Sequence, residues 1–395
     1  MAQVFGRPFL NHPTHPLSGS TVLQLLPRLD KSPSGRSAIM VAAALQSAEA
    51  RAFIACDGGR MTGDLQSQGG IFLPFPGRAK NPLVLAGNIR RLTHILLEQS
   101  VDVVHVRSRA LAWIAVAATR RTKTPLITTF KTGALKQYVF SRRYDSSLAR
   151  GDIVLADSVA GAGLAAMLHP PAREKIRIIP FGVDCAVFAP ERIASSRVQD
   201  VRRHWNIMPS EQIILIVGSV NSPTIREMTR LILASSPTGI KIVLASPREK
   251  GAKSECWNKQ GGAAIALPPP SDWPAALLAA SLVVAPENDG EGTSNILVEA
   301  QAIGTPVVAA NSGAAAEIVW APPLFTADER TGYLANPKDP AALALAVLQA
   351  MSLGASARGR LALRARSHVA ARFSSERACA AILDAYAEAR TLRPK

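Results

Sequence analysis

Short apolar runs recur along the chain and alternate with longer stretches whose apolar positions return every three or four residues. The runs at 21–26, 51–55, 102–109, 125–130, 152–156 and 176–180 read as strands, and segments such as 37–47, 61–68, 82–99 and the stretch ending near Arg121 read as helices. A second series opens at 213–218 and continues through 241–245, a helix at 271–280 and a strand at 282–285; amphipathic helices at 355–371 and 374–389 close the chain. Strands regularly divided by helices predict parallel sheets covered on both faces, so the expected fold class is α/β with two Rossmann-like, doubly wound domains. The turn Ile179-Pro180-Phe181-Gly182-Val183-Asp184 ends the first series. This places one domain at 21–190, a linker at 185–200 and a second domain at 191–370. Residues 1–20 are rich in Pro, Gly, Ser and His without a period, and read as a loosely held arm. Ligands of such sheets bind beyond the carboxyl ends of the strands, so the exit loops are where chemistry is expected.

One exit loop is dense in candidate groups. The run Leu282-Val283-Val284-Ala285 leads into Asp289-Gly290-Glu291-Gly292-Thr293-Ser294-Asn295, then a helical stretch through Glu299 and a second apolar strand at Pro306-Val307-Val308-Ala309. Thr293, Ser294 and Asn295 favour a helix start, and the free amides there, with the helix dipole, suit a phosphate. Glu291 and Glu299 would lie about 12 Å apart along such a helix, able to bracket a ligand that carries hydroxyl groups around a phosphate. The same two carboxylates also fit a plain reading as solvated groups on a helix surface.

The stretch from Leu282 to Val319, with its two glutamates, the Gln301-Ala302-Ile303-Gly304-Thr305-Pro306-Val307-Val308 strand entry and the Gly313-to-Glu317 turn, resembles the donor-binding signature of family 4 glycosyltransferases. The resemblance extends over roughly residues 20 to 390. It implies the GT-B architecture, in which two Rossmann-like domains face a cleft, and a C-terminal helix, 371–395, that crosses back to the first domain. It also implies retention at the anomeric carbon, a nucleotide-diphosphate sugar as donor substrate and no cofactor. By position, Glu291 and Lys131 take catalytic places, and Glu299 holds the ribose. Gly218, Ser219, Gly292, Thr293, Ser294, Asn295, Ile296 and Arg226 line the donor, with the amides of Thr293 to Ile296 on the diphosphate. Gly35, His105, Arg107 and Arg109 fall on the acceptor side. His105 equally fits a strand-end histidine that only hydrogen-bonds locally.

Two departures from the family pattern bear on catalysis. Relatives carry an arginine and a lysine after the first strand of the second domain, cations that would offset charge building on the departing diphosphate; here those positions are Ser219 and Thr224. Arg226 and Arg230 follow on the next helix. Lys131 stands where relatives commonly have a histidine, either as a substitute cation or as a tolerated surface charge. No Asp-x-Asp element ends a strand, so no metal is expected. These departures motivate an alternative reading: a catalytically impaired relative that binds a nucleotide sugar or glycan as a partner or sensor.

Charge adds the remaining expectations. The 395-residue chain has a formal net charge of +16 and a pI near 10.3, and between Arg78 and Arg150 basic residues far outnumber acidic ones. A helix at 133–148 would gather Lys136, Tyr138, Phe140, Arg142, Arg143 and Tyr144, which suits anionic lipid headgroups or a plain solvated face. A glycan or lipid-linked acceptor of lipopolysaccharide type, and an anionic membrane surface, are therefore the expected partners. Nucleic acid is not, since no recognised motif accompanies the charge. The start of the sequence has no basic and apolar leader pattern and no apolar run reaches 18 residues, so the expected location is cytoplasmic and peripheral to the inner membrane face. Cys56, Cys185, Cys256 and Cys379 lack metal-type spacing and read as inert packing residues.

Overall fold

The computed structural model describes residues 15–77, 82–130, 146–235, 239–245, 264–267, 270–287 and 291–392. Strand β1 (Thr21–Leu25) is buried along its whole length, as expected of the centre of a parallel sheet. It pairs in parallel with β2 (Arg51–Cys56) and β4 (Val103–Val106), Leu23 lying opposite Phe53 on one side and Val104 on the other. With β3 (Ile71–Pro74), β5 (Leu126–Phe130), β6 (Ile153–Ala156) and β7 (Ile176–Ile178) they form a seven-stranded sheet of order β3-β2-β1-β4-β5-β6-β7. The intervening helices are α1 (Pro33–Ser47), α2 (Thr62–Ser67), α3 (Pro82–Glu98), α4 (Arg109–Thr122) and α5 (Val159–Leu168). Chain direction across the sheet reverses between β1 and β4, which opens a crevice at their carboxyl ends.

The second sheet repeats the scheme. Strands β8 (Gln212–Val217), β9 (Ile240–Ala245), β10 (Ala264–Leu267), β11 (Leu282–Ala285), β12 (Val307–Ala310) and β13 (Tyr333–Ala335) lie in the order β10-β9-β8-β11-β12-β13, all parallel. Its switch point falls between β8 and β11. Helices α6 (Ser195–His204), α7 (Pro223–Ser235), α8 (Trp273–Ala279), α9 (Glu291–Ile303), α10 (Gly313–Ile318), α11 (Pro340–Met351), α12 (Ala355–Arg372) and α13 (Ser375–Leu392) complete the chain. Successive strand residues feed opposite cores: Ile213, Leu215 and Val217 pack with α6, α8, α9 and α10, whereas Ile214 and Ile216 pack with α7 and α11. Two buried faces explain why these strands read as continuous apolar runs rather than alternating ones.

The chain divides into two compact units, one of Met1–Thr129, Arg150–Val154 and Cys379–Lys395, the other of Phe130–Ala149 and Leu155–Ala378. The stretch 155–190, placed by sequence with the first series, thus groups with the second unit. The expected linker also proves structured: a 3-10 turn at Pro190–Arg192 precedes α6, whose Val201, with neighbouring Trp205, is buried in the second core. At the arm, His15 to Ser20 form a hydrogen-bonded turn that buries Leu17 completely. Of the basic helix expected at 133–148, residues 133–145 lie outside the described residues, and Ser146–Ala149 form a 3-10 turn. No single described helix is long and apolar enough to cross a membrane. Cys56 and Cys379 are buried, Cys185 is half-buried, and no disulfide joins them; Cys256 lies outside the described residues.

Candidate functional site

At the second sheet's switch point, β8 ends on Gly218 and Ser219. A Cβ at Gly218 would come within 2.4 Å of Ile225 Cδ1, so the glycine lets the first turn of α7 pack close against the strand end. Ser222 caps that helix, its Oγ accepting from the Ile225 amide at 3.1 Å, and donates a short hydrogen bond to Glu287 just beyond β11. The two loops flanking the crevice are tied together by this pair. Ser219 Oγ accepts from the Asn221 amide at 3.2 Å. Thr224 begins α7 without charge; Arg226 is exposed one turn further on, and Arg230 is held by Glu227 at 2.6 and 2.9 Å. Sequence inspection missed Ser222 and Glu287, whose pairing spans 65 residues. It also missed that the crevice carries a carboxylate at a place where the family pattern supplies cations.

Helix α9 starts at Glu291, earlier than the predicted opening at Gly292. The amides of Ser294, Asn295 and Ile296 therefore lie within the helical hydrogen-bond ladder, and the free donors are those of the first turn, Glu291 to Thr293. Of the amides expected on a phosphate, Thr293 to Ile296, that of Thr293 lies in this first turn and those of Ser294 to Ile296 follow it. Asn295 and Glu299 are four residues apart and share one helix face. Both are buried, at 3% and 2% exposure. A buried carboxylate must be engaged by its surroundings, and Glu299 is. The Asn295 Nδ2 donor, by contrast, has no hydrogen-bond partner among the described residues. The side chains of Glu291 and Thr293, and all of Lys131, lie outside what is described. Helix α9 stops at Gly304, whose φ of +92° favours glycine. The glutamate of the Gly-x-x-x-Glu turn, Glu317, accepts from the amides of Val159 and Ala160 at 2.8 and 2.9 Å and so caps the start of α5 within the same unit.

At the first sheet's switch point, Gly35 is buried in the first turn of α1. Its amide donates to Ser32 Oγ, and a Cβ there would meet the Asp30 carbonyl oxygen at 2.1 Å. Gly35 thus serves a close backbone approach that shapes the β1–α1 loop. His105 is fully buried in β4, its Nδ1 bonded to the Tyr386 hydroxyl and its Nε2 to Thr129 Oγ1, both at 2.7 Å. The ring is thus enclosed with both nitrogens engaged, in keeping with the reading of His105 as a strand-end histidine that serves hydrogen bonding within the protein. Arg107, two residues on, donates to Ser37 Oγ at 2.8 Å and to Gln24 Oε1 at 3.1 Å, and also bonds the Tyr386 oxygen. Burial pushes the Tyr386 phenol well above its usual range, although the Arg107 charge and hydrogen bond pull the other way. Arg109 is the first residue of α4. Among the described residues no group of three or more His, Cys, Asp and Glu is arranged to hold a metal.

Two parallel sheets of the same strand order, each with a ligand crevice at its switch point, define the two-domain GT-B class of α/β fold. A model of glycosyltransferase family 4 matches residues 34–187, and one of the glycosyl transferases group 1 matches 211–352; the chain belongs to the family 4 glycosyltransferases. It is 29% identical over 355 residues to a D-inositol 3-phosphate glycosyltransferase of Xylanimonas cellulosilytica, covering 81% of each chain. A glycosyltransferase structure from Rickettsia africae superposes with a TM-score of 0.76 at 22% identity, over 95% of this chain and 99% of that one. Anabaena HepE, solved with UDP and glucose, superposes with a TM-score of 0.74 at 17% identity, over 92% and 98%.

Proposed function

We propose that this enzyme transfers a sugar, with retention and without a metal ion, from a nucleoside-diphosphate sugar held by the second unit to a hydroxyl of a glycan or lipid-linked acceptor held by the first. The observation that carries the donor assignment is the pair on α9: a buried acceptor group, Glu299, one turn from a buried donor, Asn295 Nδ2, that lacks a partner among the described residues. A phosphate oxygen would satisfy Asn295 Nδ2, whose unmade hydrogen bond costs about 1–3 kcal/mol until a ligand makes it, and the Glu299 carboxylate can accept from a diol in addition to the contact it already makes. The free amides of the first turn of α9 point to the same anion. HepE, with UDP in its structure, supports the donor class. The basic first half of the sequence supports an anionic, lipopolysaccharide-type acceptor.

Glu287 and the uncharged Ser219 and Thr224 leave the diphosphate with less cationic support than the family pattern provides. Catalysis then rests more heavily on the α9 amides and on Arg226. Calorimetry with UDP and other nucleoside diphosphates tests the site. Glu299→Ala is expected to weaken binding by about 1–3 kcal/mol, roughly 5- to 150-fold. Unchanged affinity would remove Glu299 from the site. Tight nucleotide binding with no transfer or hydrolysis of any donor would favour the sensor reading.

A further inference from the structure

Arg107 stands at the carboxyl end of β4, at the first sheet's switch point, in an unusual setting for a guanidinium. Every hydrogen-bond partner it has is neutral: Ser37 Oγ, Gln24 Oε1 and the Tyr386 hydroxyl. No carboxylate pairs with it among the described residues, and its Nε is buried without a partner. The holding groups are themselves fixed. Gln24 is fully buried and donates Nε2 to the Ala38 carbonyl at 2.9 Å, which turns its Oε1 toward Arg107. Arg107 has only donors to give, so Tyr386 accepts from it, passes its own O–H to His105 Nδ1, and leaves His105 Nε2 to donate to Thr129. The buried chain keeps the guanidinium in one place without neutralising it.

A fixed cation with an uncompensated charge at a ligand crevice selects an anion, because neutral acceptors orient the group while its charge stays available. The first residues of α4 lie beside it: Ser108 at the N-cap makes no side-chain capping bond, so the helix start adds partial positive charge at the same edge. We infer that Arg107 recognises a phosphate group on the acceptor, with Tyr386 as the residue that positions it. The inference rests on the transferase reading above and narrows its acceptor to phosphorylated molecules, whether soluble or lipid-borne.

The test uses the full chain with its donor site filled by saturating nucleoside diphosphate, so that added phosphate reports on the first unit. Inorganic phosphate is titrated by calorimetry in one arm. In the other, sedimentation compares vesicles containing phosphatidic acid with vesicles of phosphatidylcholine alone. Phosphate binding that falls about tenfold or more in Arg107→Gln, and stays close to wild type in Arg107→Lys, is the expected result for a soluble phosphorylated acceptor. The same Arg107 dependence seen only with phosphatidic acid assigns the phosphate to a lipid. Tyr386→Phe should weaken the response severalfold at a temperature where the melting curve shows the first unit still fully folded, and an unchanged response there would remove Tyr386 as the positioning residue. A response equal in wild type and Arg107→Gln, or no response in either arm, overturns the inference. Failure of the nucleoside diphosphate to bind would instead overturn the donor assignment and leave this one standing on its own arms.

Discussion

At the scale of single residues, the clearest consequences come from buried polar groups. His368 is enclosed by Trp320, at 4.3 Å between ring centroids, and Phe373, at 5.4 Å. Its Nε2 bonds the Ile318 carbonyl at 2.9 Å while Nδ1 is buried without a partner among the described residues. Burial lowers its pKa, with the nearby Arg372 adding to the effect against the Ile318 hydrogen bond. The folded state therefore prefers neutral imidazole, whereas the unfolded chain takes up a proton below about pH 6.5. This contribution to stability is complete above that pH and is lost as pH falls toward the depressed folded value. The melting temperature should drop on acidification below about 6.5, and His368→Gln should flatten that part of the profile; an identical slope in the variant would assign the acid sensitivity elsewhere. His105 shows what the sequence could and could not say. Its place at a strand end was legible, but its role depended on a tyrosine 281 residues away. No local pattern distinguishes a histidine that faces a ligand from one that meets a distant hydroxyl in the core. Glu299 was easier, because a carboxylate in a largely apolar helix between two apolar runs stands out in the sequence itself.

At the scale of elements, strands were read accurately because both faces of each sheet are buried, which turns Leu282–Ala285 or Gln212–Val217 into unmistakable apolar runs. Short edge strands were not: β10 and β13 have only four and three residues and no run long enough to stand out. Helix starts were harder still. The Asn-Asp-Gly sequence ahead of α9 announces a loop but does not fix which residue makes the first turn, and a start one residue earlier than Gly292 places Ser294 to Ile296 beyond that turn. The β1–α1 loop gives a sharper test of element geometry. Ser32 caps α1 and Pro33 opens it, yet the loop closes only because Gly35 lets the Asp30 carbonyl approach. Gly35→Ala would place a methyl group 2.1 Å from that oxygen, and a backbone atom cannot swing aside as a side chain could. The variant should lose about 1–3 kcal/mol in urea unfolding, the usual range for overpacking. A control, Gly354→Ala, should change little, since a Cβ there meets no atom within 4 Å. Equal effects at the two sites would mean that backbone entropy rather than the clash sets the response.

At the scale of the whole molecule, the chain's last residues return to the unit that holds its first ones. Residues Cys379–Lys395 belong to the first compact unit, where Tyr386 and Ala389 are fully buried and Arg390 donates to the Pro16 carbonyl at 2.6 Å. A unit built from segments this far apart in sequence cannot complete its core until the later one has been made, and it is vulnerable to loss of either. Ending the chain at Ala378 would expose the apolar surface that Ile382, Leu383, Ala385 and Tyr386 cover, and would leave His105 Nδ1 without its hydroxyl. Each buried Ile, Leu or Tyr side chain of this kind contributes about 1.5–3 kcal/mol. Their joint removal, with the lost hydrogen bonds, is comparable to the margin of roughly 5–15 kcal/mol by which domains are stable. Calorimetry of the truncated chain should therefore show the first unit's transition lost or shifted far down, while nucleoside diphosphate still binds, because Asn295, Glu299 and the start of α9 all lie in the second unit. Milder damage from Tyr386→Phe, about 1–3 kcal/mol for the stranded imidazole nitrogen, would separate the hydrogen bond from the packing. Truncation that leaves melting intact would show that the final helix is an attachment to the first unit rather than part of its core.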